Sequence, residues 1–322
     1  MRQWYLILLW LLCLLAPACA ADTVRLAVQK TGTLAWELEV VRAHDLDKQY
    51  GLTIDVTQIA SPEAGKIALR GGSADIIVSD WLWVSRERQL GAKLVFYPYS
   101  TALGAVMASK ASLIQNLADL KGKKLAIAGG PLDKSWLLLQ GAMKQVGIDL
   151  KKEATIVYGA PALLTEKTLR GEMDATLNYW NFCVLLEANG FRRVAGMEDV
   201  LPRLGVSRRP AMIGYVFDES WAGSNHDLLT RFIAATRRAK DVLAGSDGEW
   251  ERIKSLVGAG DATTLALYRD RYRDGIPRRL VAEEEADARI LYNVLAKIGG
   301  SDLVGPAADL DPKIFYRVDF RS

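Results

Sequence analysis

Residues 26–81 of this chain are echoed 99 residues later without a gap. Leu26-Ala27 is matched by Leu125-Ala126, Pro62 by Pro161, Gly72 by Gly171, Asp75 by Asp174 and Trp81 by Trp180. Segments of mixed α/β proteins can resemble one another through composition alone. An ordered set of matches at a single offset argues instead for one folding unit present twice. The first copy reads as strand, helix, strand, helix, strand. Val24–Val28 is a first strand, Trp36–Tyr50 a helix stopped at Gly51, and Leu52–Ile59 a second strand. Ser61-Pro62-Glu63 supplies an N-cap, a proline at the first helical position and a first-turn acid. That helix ends at Gly71-Gly72 and leads into a third strand, Ala74–Val78. Alternation of this kind marks α/β architecture, and its repetition predicts two α/β lobes.

Two apolar segments, Ala105–Ala108 and Met212–Val216, read as crossover hinge segments between the lobes. They place lobe I at residues 21–106 plus 217–322 and lobe II at 107–216. Helices expected at Asn225–Ala244 and Val281–Ile298 should pack back on the first lobe. The second of these opens with Glu283-Glu284-Glu285, whose charge suits a helix N-terminus.

The 41 basic and 38 acidic residues leave a net charge of +3, and no Lys/Arg run of the kind that binds phosphates occurs, so nucleic acid is not expected as a partner. Arg2 precedes an apolar run from Trp4 to Leu15, followed by Ala16-Pro17-Ala18-Cys19-Ala20. The run is shorter than the roughly 20 residues a membrane span needs. Residues 1–20 therefore read as a signal peptide cleaved after Ala20, which directs the chain to the periplasm. Lipidation of Cys19 is the competing reading, weakened by Ala16 where a lipobox carries Leu. Cleavage leaves Cys183 as the single thiol, so the mature fold, expected to be monomeric, must hold by core burial without a disulfide.

Four motifs, in order, carry a family resemblance. They are Tyr50-Gly51-Leu52-Thr53-Ile54-Asp55-Val56, then Ala68-Leu69-Arg70-Gly71-Gly72-Ser73-Ala74-Asp75-Ile76, then Asp119-Leu120-Lys121-Gly122-Lys123-Lys124-Leu125-Ala126-Ile127-Ala128-Gly129-Gly130, and Leu169-Arg170-Gly171-Glu172-Met173-Asp174-Ala175. Together they resemble the substrate-binding proteins of the nitrate/sulfonate/taurine class of ABC importers, whose relatives include carriers of pyrimidine thiamine precursors. The resemblance implies a type II periplasmic-binding-protein fold, a small-molecule ligand held between two hinged lobes, and an inner-membrane ABC permease as partner.

In open parallel sheets, ligands bind beyond the carboxyl ends of the strands. That rule selects Gln29–Trp36, Ser61-Pro62, Ser79–Trp83, Gly129–Trp136 and Asn178–Phe182. Within or beside these loops the expected ligand-binding residues are Thr31, Trp36, Ser61, Ser79, Asp80, Trp81, Trp83, Gly130, Asp133, Trp136, Asn178, Tyr179 and Trp180. Five of the seven tryptophans beyond the signal fall here, which points to aromatic walls, with Trp81, Trp136 and Trp180 sandwiching a flat or cationic ligand. The loops hold Asp80 and Asp133 but no arginine, whereas a sulfonate or nitrate pocket would more naturally present a guanidinium fork. An amine- or hydroxyl-bearing aromatic ligand is therefore expected.

Enzymes on related folds, such as those that make pyrimidine precursors, form the competing class. His44 and His226 stand alone on helices, Cys183 has no histidine near it in sequence, and no Walker loop, HExxH or Cys/His zinc spacing occurs. No catalytic residue, cofactor or metal is expected. A sensor module serving a receptor kinase is a third reading that the residues do not separate from transport.

Overall fold

The computed structural model describes residues 22–318. The expected signal segment, with Cys13 and Cys19, lies outside the described residues. The chain begins with β1 (Asp22–Gln29), α1 (Thr33–Ala43), β2 (Leu52–Ile59), α2 (Pro62–Arg70), β3 (Ile76–Asp80), α3 (Trp81–Gln89) and β4 (Leu94–Ser100). It continues through β5 (Ala105–Ser109), β6 (Lys124–Ala128), α4 (Lys134–Gln145), β7 (Thr155–Gly159), α5 (Pro161–Leu169), β8 (Ala175–Asn178), α6 (Trp180–Ala188) and β9 (Phe191–Gly196). After β10 (Ile213–Asp218), three long helices follow: α7 (His226–Gly245), α8 (Ala262–Asp274) and α9 (Val281–Gly299). Among the described residues no helix is long and apolar enough to cross a membrane.

Two five-stranded sheets result, in the orders β2-β1-β3-β10-β4 and β7-β6-β8-β5-β9. In each, three parallel strands come from one copy of the repeat, and an antiparallel strand next to them leads to an edge strand. The 99-residue spacing recurs in the pairing itself: Leu26 sits opposite Ile76, and Leu125 opposite Ala175.

Each repeated residue answers a local demand of the backbone. Pro62 and Pro161 open α2 and α5, where a missing N–H costs nothing. Gly72 and Gly171 take φ of +70° and +73° just past those helices, a conformation that penalises any Cβ. The Asp75 carboxylate accepts a 2.8 Å bond from the Arg25 amide, and the Asp174 carboxylate a 2.7 Å bond from the Lys124 amide. The Asp75 and Asp174 amides donate back to the carbonyls of the same two residues. Trp81 and Trp180 are the first residues of α3 and α6.

Three expectations need correction. The helix expected at Trp36–Tyr50 breaks at His44–Asp45, because Asp45 enters the left-handed region (φ +50°) before a short turn at Leu46–Gln49. The apolar segments taken as crossings are strands: 105–108 lies in β5 and 213–216 in β10, each buried between two neighbours. Their apolarity comes from that burial on both faces, and the chain passes between sheets at 101–104 and 204–212 instead. Finally, α7 packs on α1 of the first lobe as expected, but α9 lies against α4 of the second. One hydrophobic cluster therefore runs across both lobes, joining Ile77 and Trp81 to Leu125 and Trp136 beneath Leu291 and Leu295.

Candidate functional site

The two sheets turn the carboxyl ends of their parallel strands toward a common cleft, which holds a cavity of about 100 Å³. All five loops selected from the sequence contribute to its wall, from Gln29 in the first lobe to Tyr179–Phe182 in the second.

Its polar centre is a set of buried charges drawn from both lobes. Asp80 ends β3, is 4% exposed, and caps α3 by accepting from the Trp83 amide at 2.8 Å. Burial pushes its carboxyl above the usual carboxylate range, against the pull of Lys66 and Lys134. Asp133 caps α4 through the Ser135 amide at 2.9 Å and accepts from the Tyr179 hydroxyl, also at 2.9 Å. The Lys134 ammonium stands 3.4 Å from Asp133 and 4.3 Å from the centre of the Tyr179 ring. Burial, then the Asp133 charge, hold the Tyr179 hydroxyl protonated well above its ordinary range. Gly129 makes this arrangement possible. Its φ is +92°, and a Cβ there would lie 2.8 Å from both Asp133 Oδ2 and the Tyr179 hydroxyl.

Behind the first-lobe wall lies a second buried pair. Thr33 and Tyr99 line the cavity and share a 3.0 Å hydrogen bond. The Tyr99 ring carries the Lys240 ammonium 3.8 Å from its centre, and Lys240 in turn pairs with the fully buried Glu37 at 2.5 Å. The Tyr272 hydroxyl donates to the same carboxylate. This network fixes the position of Tyr99 from within the protein core.

The structure separates the expected site residues into two groups. Ser79, Asp80, Asp133, Tyr179 and Trp180 line the cavity. Thr31, Trp36, Ser61, Trp81, Trp83, Gly130, Trp136 and Asn178 do not. The expected sandwich of Trp81, Trp136 and Trp180 is not formed by these walls: Trp81 and Trp136 are fully buried in the shared core, and Trp180 alone reaches the cavity. Trp36 and Trp83 are likewise buried, with the Trp83 ring beneath Lys66. Ser61 caps α2, and Asn178 bonds to Thr165 and the Pro161 carbonyl. Thr31 enters through its carbonyl, which accepts from Asn181 across the cleft at 3.1 Å. Trp180 also bridges the lobes, meeting Trp36 edge-on at 5.7 Å and Tyr268 at 6.3 Å.

Glu63, Lys66, Thr33 and Tyr99 also line the cavity and were not among the expected ligand-binding residues. Glu63 and Lys66 lie three residues apart on the first turns of α2, a spacing that places both on one helix face and could have marked them. Cys183 does not line the cavity, and burial pushes its thiol up to about 12.

The NMT1/THI5-like family model matches residues 46–246, more than half of the chain. The structure is similar to that of the periplasmic aliphatic sulphonate-binding protein SsuA from Escherichia coli, at 20% identity and a TM-score of 0.70, with 94% of each chain covered. It is also similar to the alkanesulfonate-binding SsuA from Xanthomonas axonopodis pv. citri bound to MOPS, at 17% identity and a TM-score of 0.73, covering 93% of this chain and all of that one. The periplasmic nitrate-binding protein NrtA from Synechocystis PCC 6803 superposes with a TM-score of 0.59 at 11% identity, over 79% of this chain and 69% of that one. No curated protein matches the chain. With the family model matched over more than half of its length, the chain belongs to the NMT1/THI5-like family, and it has the periplasmic-binding-protein architecture of these structures.

Proposed function

We propose that the protein is the exported solute-binding component of an ABC-type importer, which traps a small amine-bearing ligand between its lobes and presents it to an inner-membrane permease. The observation that carries this reading is the cavity walled by both lobes, with Glu63, Asp80 and Asp133 against Lys66 and Lys134 and no arginine in its lining. Three carboxylates and no guanidinium fork favour a cationic or hydrogen-bond-donating group over a bare sulfonate or nitrate. Trp180, Phe182 and Tyr179 offer aromatic surface to a flat body. Bending of the two crossings, 101–104 and 204–212, would open and close the cleft. Contacts from both lobes would then draw the population toward the closed state. Among the described residues no cysteine or histidine lines this cavity, which favours a binder over an enzyme.

Native mass spectrometry of protein purified without denaturation tests the reading, followed by calorimetry against aminopyrimidines, quaternary amines, sulfonates, nitrate and carboxylates. The expected result is one tight ligand carrying an amino group, weakened by Trp180→Ala. Tight binding of a simple sulfonate or nitrate would overturn the ligand class, and failure of every class to bind would overturn the binding role. N-terminal sequencing of the periplasmic protein should give Ala21; an intact Met1 or a lipid on Cys19 would refute export as a soluble protein.

A further inference from the structure

A second groove, of about 540 Å³, opens where the chain passes between the sheets and shares no lining residue with the cleft cavity. Thr101 of the first crossing and Arg208 and Arg209 of the second line one part of it, and residues 273–284, at the end of α8 and the start of α9, line the rest. Five arginines face two carboxylates there, Asp274 and Glu284.

Both carboxylates are already engaged. Asp274 holds Arg209 through two bonds of 2.7 and 3.1 Å, and Glu284 accepts from the Ala211 amide at 2.6 Å. Arg273 is paired with Asp247 at 2.7 Å. Arg279 is ion-paired through its buried Nη1 with Asp287 at 2.7 Å and lies 3.9 Å from Glu284, so its charge is already answered. Arg208 and Arg278 are exposed and form no hydrogen bond or ion pair among the described residues. Guanidinium groups gathered at this density repel one another unless an anion sits among them, and their planar forks match oxyanions of phosphorus or sulfur.

We propose that this groove is a second binding site of the protein, taking a small soluble oxyanion of two or more negative charges, such as a diphosphate or phosphate ester, against Arg208 and Arg278. The site is independent of the ligand held in the cleft. Because both crossings contribute to its wall, an anion seated there touches the segments that must bend when the lobes move.

Titration of the mature protein with inorganic pyrophosphate by calorimetry tests the site, at low and at physiological salt. One saturable site is expected, weakening as salt rises. The double variant Arg208→Gln/Arg278→Gln should bind roughly tenfold or more weakly, through loss of two charge-assisted donors. Its melting temperature should be unchanged, because neither side chain has a partner in the fold. Absence of saturable pyrophosphate binding, or equal binding by the double variant, would overturn the proposal. So would binding seen only with phosphatidylglycerol vesicles, which would make the surface a membrane contact.

Discussion

Asp80→Asn separates two jobs that one carboxylate performs. Through Oδ1, Asp80 caps α3 at the Trp83 amide, 2.8 Å away, and its carboxylate also lines the cavity. Asparagine caps a helix about as well as aspartate, so the substitution keeps the cap and removes only the charge. If a ligand amine bonds to this carboxylate, the loss is that of a charge-assisted hydrogen bond, about 1.5–3 kcal/mol, or roughly ten- to hundredfold in Kd. Stability should move the other way. Burial raises the folded carboxyl above its ordinary value, so as pH rises from about 4 the unfolded chain ionises first and the wild type loses stability until the folded group has ionised too. Below that window both states are neutral and the term vanishes. The variant lacks this penalty, so it should match the wild type in acid and exceed it at neutral pH. Its amine affinity should be flat with pH where the wild type's rises. Calorimetry and thermal denaturation from acid to neutral pH read both effects. Asp80→Ala, which also removes the cap, should cost about 1 kcal/mol more in stability. Unchanged ligand affinity in Asp80→Asn, with the pH-dependent gain in stability present, would refute the role in recognition while leaving the burial argument standing.

Three further outcomes are expected. Gly129→Ala should cost about 1–3 kcal/mol by thermal denaturation, since φ +92° strains any side chain and the new Cβ collides with Asp133 and Tyr179. Lys240→Met, which strands the fully buried Glu37, should cost about 3–5 kcal/mol in urea unfolding, and Glu37→Gln added to it should recover most of that loss. Asp75→Ala should cost about 1–3 kcal/mol by leaving the Arg25 amide and guanidinium without their acceptor, and more than Asp174→Ala, whose carboxylate is exposed and accepts from the Lys124 amide alone. Equal losses at the two positions would show that burial of Asp75 adds nothing.

The α/β class, the duplication and the five cleft loops were legible from residue order, because each rests on a requirement of the local backbone. A proline belongs at the first turn of a helix, a glycine where φ must be positive, and an aspartate where a strand-end amide needs an acceptor. All three recur 99 residues apart at the same points of both sheets. The wall of the site was legible only in part. Asp80, Asp133, Tyr179 and Trp180 follow from where strands end, but a tryptophan in a loop carries no record of what will cover it. Trp81 and Trp180 hold equivalent positions, and α9 with the second lobe closes over one while the cavity leaves the other at its edge. Likewise, an apolar stretch does not say whether it crosses between lobes or lies between two strands, and 105–108 and 213–216 proved to be strands of opposite sheets. Backbone demands act over a few residues and leave their mark in the sequence. Which side chains meet water, ligand or core is settled by elements well over a hundred residues away, as Tyr99 beneath Lys240 and Trp81 in one core cluster with Leu291 show.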